Sequence, residues 1–342
     1  MHRENKKEIT SGAFKAMSAL RSFVGACALL ILLPAGGAVA GDPGKVAAVA
    51  AEPNKAAAAP SKVSFYFAAH EDDWQLFMNP NAFNDVMGGA RKTVFIHVTA
   101  GDAGLGAGSN GREHPYYLAR ENGALQAIRF MADADKSPIK DSEGPVSFDG
   151  HSIFRVRYGS AVSYFLRLPD GGTGAGFAGT GFQSLKRLEN GDIATMVAVD
   201  GSATYQGWKD LVDTVQHIVS FERGHSSLAQ INIADLDSSI NPRDHADHLA
   251  TARLALDATK NMSCMSRAFY VDYASAKLPA NLSSQDRDMK SAVFAVTLDG
   301  IINLDHRTAW HHYDGFYSGR QYFRVQQAGS DCAKGTAVAG QP

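Results

Sequence analysis

Two runs of β-prone, largely apolar residues, Val63-Ser64-Phe65-Tyr66-Phe67-Ala68-Ala69 and Thr93-Val94-Phe95-Ile96-His97-Val98-Thr99, constrain the fold most. Neither alternates cleanly between polar and apolar, so each must be covered on both faces, as the central strands of a parallel sheet are. The stretch 80–90 between them predicts a short helix. Beyond them Gly101, Gly104, Gly106, Gly108 and Gly111 predict a long mobile loop, and residues 115–132 place Leu118, Leu125, Ile128 and Met131 at helical spacing. A strand–helix–strand–helix order predicts an α/β protein with a mostly parallel sheet and helices on both faces, gathering ligands at the carboxyl ends of its strands.

The middle of the chain reads differently. Residues 146–168 are rich in β-formers, and glycines follow from Gly171 to Gly181, so about 146–181 is expected to be a β-rich hairpin insertion near the mouth of the site. A helix over 207–221, a strand over Ala229–Ile233 and a helix after His245 restore the α/β rhythm, and a C-terminal extension closes a single domain spanning 61–330. Residues 331–342 are expected to be a flexible tail.

Residues 1–40 predict an export signal. Basic residues end at Arg21, the apolar run Phe23–Leu33 follows, Pro34 and Gly36-Gly37 break it, and Ala38-Val39-Ala40 gives a small-x-small cleavage pattern near Ala40. The run is short for a bilayer, so no membrane span is expected after cleavage, and the destination is secreted or periplasmic. Residues 41–60, Ala- and Pro-rich, read as a linker. The formal net charge is -2, and the leading segment is basic, so the remainder is acidic and nucleic acid is not an expected partner. Cys27 leaves with the signal. Cys264 and Cys332 remain, able to pair in an oxidising compartment, although their spacing does not decide it.

Chemistry concentrates in two clusters, His70-Glu71-Asp72-Asp73 and Asp244-His245-Ala246-Asp247-His248. The first follows a predicted strand, and its His70 and Asp73 can bend toward one metal ion while Asp72 points beside it. The second opens a predicted helix, where one imidazole can complete a His-Asp-His set and the other can stand across the substrate. Three protein ligands with an open position is the pattern of a catalytic zinc. Such an ion lowers the pKa of its water to about 7 and polarises a carbonyl, as amide hydrolysis at neutral pH requires.

Ala69-His70-Glu71-Asp72-Asp73-Trp74 and His245-Ala246-Asp247-His248 resemble the two signatures of the PIG-L/LmbE family of zinc-dependent N-acetylglucosaminyl deacetylases, A-H-P-D-D-E and H-P-D-H. The likeness runs from about Val63 to Leu256, with Thr99–Gly104 and Arg120-Glu121 as further points. It implies a Rossmann-like fold and Zn2+ held by His70, Asp73 and His248. It also implies Asp72 as general base, His245 as acid or oxyanion partner, Asp247 as the orienter of His245, and Arg120 at the substrate. Glu71, Trp74 and Ala246 depart from the signatures without removing a ligand. Trp74 then becomes a candidate platform for a sugar ring or a core residue, and Asp102 a further substrate candidate. The resemblance implies an N-acetylated sugar or glycoconjugate as substrate. Two alternatives stay open: a carbohydrate-binding member without catalysis, and a zinc amidase for another acyl group.

The late histidines His306, His311 and His312 lie among Trp310, Tyr313, Phe316 and Tyr317, either as a substrate wall or as a packed surface layer. His97, inside a strand, is expected to be a satisfied core histidine. The glycines of 101–111 match neither a dinucleotide fingerprint nor a P-loop, so no nucleotide cofactor is expected.

Overall fold

The computed structural model describes residues 62–88, 91–133, 141–329 and 332. The expected signal, the linker and most of the expected tail lie outside the described residues. Strand β1 (Lys62–Ala68) leads through a π-helical turn (Trp74–Met78) into α1 (Asn81–Met87) and β2 (Arg91–Thr99). Next come α2 (Tyr116–Asp133), β3 (Ser142–Phe148), β4 (His151–Tyr158), β5 (Ala161–Leu168), α3 (Leu185–Glu189) and a two-stranded ribbon, β6 (Met196–Val197) with β7 (Thr204–Tyr205). The chain continues with α4 (Trp208–Arg223), β8 (Leu228–Ala234), α5 (Ala246–Thr259), β9 (Met265–Tyr270), α6 (Ser284–Ile302), α7 (Trp310–Tyr317) and β10 (Phe323–Gln326).

The main sheet has eight strands in the order β10-β9-β8-β1-β2-β5-β4-β3. β9, β8, β1, β2 and β5 run parallel, and β10, β4 and β3 are antiparallel additions at the two edges. From β1 the chain proceeds to β2 on one side and later to β8 on the other, so a topological switch point lies between β1 and β8. A crevice opens at the carboxyl ends of the strands at such a point.

Alternation along β1 shows why both faces are covered. Phe65 and Phe67 point into a core with α4 and α5, among Leu211, Val215, Ile218 and Leu254, whereas Tyr66 and Ala68 join Phe95, Ile128, Val293 and Leu298 on the other face with α2 and α6. Phe65 is fully buried, and its truncation to alanine would cost about 3–5 kcal/mol. Helices α2 and α6 meet closely enough that a Cβ on Gly300 would lie 2.7 Å from the Gly123 Cα, so neither glycine tolerates a side chain.

Two expectations change. The segment 146–181 is not an insertion at the site mouth: β5 is a core strand parallel to β2, and β3 and β4 extend the sheet edge. Only the loop after β5 reaches the site. The glycine loop after β2 is tethered, because Asp102 accepts the Gly106 N–H at 2.7 Å and the Asp170 N–H at 2.8 Å. Cys264 and Cys332 form a disulfide with a Cα separation of 5.3 Å. Among the described residues, no helix is long and apolar enough to cross a membrane.

Candidate metal centre

The switch point positions the site. β1 ends at Ala68 and its next turn carries His70 and Asp73, while β8, hydrogen-bonded beside β1, ends at Ala234 and leads to the start of α5. The Asp73 carboxylate locks the first turn by accepting the His70 backbone N–H at 2.7 Å. His245 caps α5: its Nδ1 accepts the Asp247 backbone N–H at 3.2 Å, and its backbone is extended where the helix begins. His248 follows one turn on.

These two elements bring His70, Asp73 and His248 together. Asp73 Oδ1 lies 3.5 Å from His70 Nδ1 and 3.2 Å from His248 Nε2. Two ligands on bonds of about 2.0–2.1 Å at a tetrahedral angle sit about 3.3 Å apart, so the spacing suits one small ion. His248 Nε2 is buried and forms no hydrogen bond. Its opposite nitrogen, Nδ1, faces Asp244 Oδ1 at 2.9 Å and Asp272 Oδ2 at 3.1 Å, so in the neutral ring the proton belongs on Nδ1 and Nε2 offers its lone pair to a metal. His70 is arranged likewise, with Nδ1 toward Asp73 and Nε2 3.7 Å from Asp247 Oδ2 and 3.9 Å from Asp170 Oδ2. This buried His/Asp group can hold a metal ion. Nitrogens of His70, His245 and His248 also fall within 4.8 Å of one another, as do ligand atoms of His70, Asp170, His245 and Asp247. His245 thus stands at the same centre.

The protonation pattern is that of a site built for a cation. Burial alone would depress His70, but Asp73, Asp247 and Asp170 more than reverse it and raise its pKa to about 10. Burial also opposes the shift at His248, where Asp73 and Asp244 carry it well above the usual histidine range. Asp73 is held well below the usual carboxylate range because His248 and His70 outweigh its burial. Without a metal, protons supply the positive charge that the carboxylates demand. His245 differs: burial first, then the charged His70 and His248, lower its pKa.

The site residues expected to move protons are the more exposed ones. Side-chain exposure is 21% for Asp72 and 23% for His245, against 1% for His248. Asp72 pairs through Oδ1 with the Arg120 Nη2, while Arg120 Nε sits 3.1 Å from Glu71 Oε2 and Nη1 donates to the Gly101 carbonyl at 3.3 Å. Burial pushes Glu71 up to about 8 despite Arg120. Gly101 permits this approach, since a Cβ there would lie 2.5 Å from Glu71 Oε2.

Three expected roles shift. Trp74 is fully buried, packs 4.7 Å from Phe95 and donates its Nε1 proton to His97 Nε2 at 3.2 Å, so it has no face for a sugar. It lies in the core because the chain turns inward directly after Asp73. Asp102, also fully buried, spends both carboxylate oxygens on backbone amides, so it shapes the loop holding Asp170 instead of meeting substrate. The Asp247 carboxylate accepts the Gly171 N–H at 2.7 Å and stands closer to His70 than to His245, which it orients through its own backbone N–H.

His97 is the core histidine expected: Nδ1 meets the Tyr164 carbonyl at 3.3 Å, and burial lowers its pKa to about 4. Of the late aromatic stretch, Tyr317 joins Phe77 and Tyr273 around His248, whose ring stacks on Tyr273 with centroids 5.2 Å apart. His306 hydrogen-bonds the His114 carbonyl at 2.8 Å, a packing role, and His311 is exposed. The side chain of His312 lies outside the description.

Asp170 and Asp272 are the site residues that the sequence reading missed. Both follow a parallel strand by a step or two, β5 and β9, as His70 follows β1. An acidic residue just past a buried strand was the available signal.

No family model matches the sequence, and no curated protein matches it. Among solved structures, the chain resembles the N,N'-diacetylchitobiose deacetylase from Pyrococcus horikoshii complexed with its inhibitor MPG. The identity is 14%, the match covers 78% of this chain and 84% of that one, and the TM-score is 0.43, a distant likeness of chain path.

Proposed function

We propose that the chain is an exported zinc-dependent N-deacetylase acting on an N-acetylglucosamine-type sugar or glycoconjugate. The observation that carries the reading is the Asp73 carboxylate set between His70 Nδ1 and a buried, unpartnered His248 Nε2. The two motif sequences supply the sugar. His70, Asp73 and His248 would hold the ion, with Asp247 behind His70 and Asp244 and Asp272 behind His248. Bound there, zinc supplies an acidified water and a Lewis acid for the acyl oxygen.

The chain's own residues do the rest. Asp72, more open than Asp73 and oriented by Arg120, accepts the proton of the attacking water. Because His245 Nδ1 is occupied as an acceptor, the neutral imidazole carries its proton on Nε2. That N–H stabilises the developing oxyanion, and the proton taken up by Asp72 passes to the leaving amine. Export rests on the signal-like leader, and the Cys264–Cys332 disulfide suits an oxidising compartment.

Replacing Asp72 by Ala should abolish acetate release from N-acetyl sugars while metal content stays near one ion per chain. Undiminished release would sink the mechanism, and a wild-type protein that binds no metal would sink the reading altogether.

A further inference from the structure

Beyond the loop that follows β5 lies a cavity of about 490 Å³, lined by Thr173, Gly174, Phe182, Lys186, Arg187 and Asp192 among others. That volume falls within the range of small-molecule sites, about 300–1,000 Å³. The same loop walls the metal-binding cluster. A Cβ on Gly171 would lie 2.5 Å from Asp247 Oδ1, and one on Gly174 would lie 3.1 Å from the Ala246 Cβ, beside His245.

Phe182 is the unusual member. Its φ is 57°, a left-handed conformation that bulky residues avoid, yet its side chain gains little by burial because the residue is 52% exposed. The backbone is nonetheless fixed. The Phe182 N–H donates to the Phe177 carbonyl at 2.8 Å, and its own carbonyl accepts Arg187 Nη1 at 2.6 Å. A strained, rigidly held aromatic at a cavity rim offers a flat apolar face to a ligand. Lys186, one residue before Arg187 on α3, forms no ion pair among the described residues. With Asp192, whose N–H donates to the Arg187 carbonyl at 2.9 Å, the lining carries a net positive charge.

We infer that this cavity is a second carbohydrate subsite, taking an acidic sugar that adjoins the N-acetylated residue. Phe182 stacks on the sugar face, Lys186 and Arg187 pair with its carboxylate, and Asp192 accepts from its hydroxyls. The inference rests on the deacetylase reading and narrows its substrate to acidic glycans, in place of free amino sugars or neutral chitin-like chains.

The test is calorimetric titration of the metal-loaded protein with a tetrasaccharide alternating N-acetylglucosamine and glucuronic acid, against neutral chitotetraose. The acidic glycan should bind about tenfold more tightly, and the advantage should shrink as salt is raised. Phe182→Gly and Lys186→Gln should each weaken its binding about tenfold. Phe182→Gly should leave Tm unchanged or higher, because glycine suits that backbone. Equal affinity for the two glycans, or binding untouched by both substitutions, overturns the inference. Acetate release measured in parallel separates the two claims. Release from chitotetraose without acidic preference removes the subsite and keeps the deacetylase, whereas substitution-sensitive acidic binding with no release from any glycan does the reverse.

Discussion

Asp73 places one carboxylate oxygen 3.2 Å from His248 Nε2 and turns the other to the His70 backbone N–H at 2.7 Å. One side chain therefore ties the turn after β1 to helix α5 and sets the distance between two imidazoles that are far apart in sequence. Asp73→Ala removes both the proposed ligand and this tie. Metal content by atomic emission should fall from near one ion per chain to about a tenth or less, in a protein that still folds. Full retention of metal would exclude Asp73 from the ligand set.

Behind His248, Asp244 accepts at Nδ1 from 2.9 Å and is itself bonded by Asn241 Nδ2 at 2.9 Å. Asp244→Asn keeps the shape and removes the charge that makes the imidazole a better donor. Competition with a chelator should show metal affinity weakened about 10–100-fold. An unchanged affinity would mean that Asp272 alone orients the ring.

The protons that fill the metal-free site give its pH dependence a sign. His70, raised to about 10, stabilises the metal-free fold fully below the unfolded-state value near 6.5. That contribution is lost as pH rises through about 10. Metal binding must displace this proton, so affinity strengthens over the same window. The Tm difference between loaded and metal-free protein should therefore widen from pH 6.5 to 9, as differential scanning calorimetry would show. A constant difference would mean that the site holds no such proton.

Much of this was legible in residue order, and the failures have physical causes. Val63–Ala69 and Thr93–Thr99 declared themselves as buried strands because nearly every side chain was apolar or small. His70-Asp73 and His245-His248 announced two halves of a candidate metal set because spacing within each cluster brings its members into range, while β1–β8 pairing joins the halves. Asp170 and Asp272 reach the site through the sheet, each from its own strand end, a relationship that no linear spacing encodes. Trp74 misled for the converse reason. It adjoins the ligands in sequence, but the π-helical turn after Asp73 buries all five of its residues, Trp74 to Met78. β5 was hidden because three neighbouring β-rich stretches look alike until pairing with β2 makes one of them parallel.

Lys290 on α6 is almost fully buried, with Nζ donating to the Arg320 carbonyl at 2.5 Å, and burial together with Arg320 lowers its pKa to about 7. The unfolded chain, titrating near 10.4, binds more protons between those values, so this lysine's contribution to stability rises with pH across the window. Compared with Lys290→Met, the wild type should gain about 2–3 kcal/mol between pH 7 and pH 9 in urea unfolding. Parallel curves for the two proteins would show that the ammonium stays charged when folded.

The Cys264–Cys332 bond closes a sequence separation of 68 residues that contains β9, α6, α7 and β10. Chain-entropy arguments give such a closure about 4 kcal/mol. Reduction should lower the urea midpoint by a corresponding amount, with metal content preserved in native conditions. A midpoint indifferent to reductant would mean that the reduced chain stays equally ordered.

Helix α5 begins at Ala246, so His245 and His248 share one origin of phase. Each residue advances about 100° around the axis, and one residue added or lost inside this short stretch would swing one imidazole away from the other. A change upstream, in the loop from Ala234 to Asp244, would instead shift the whole helix start and carry both rings together. This half of the centre behaves as a single inherited unit, lost or kept whole.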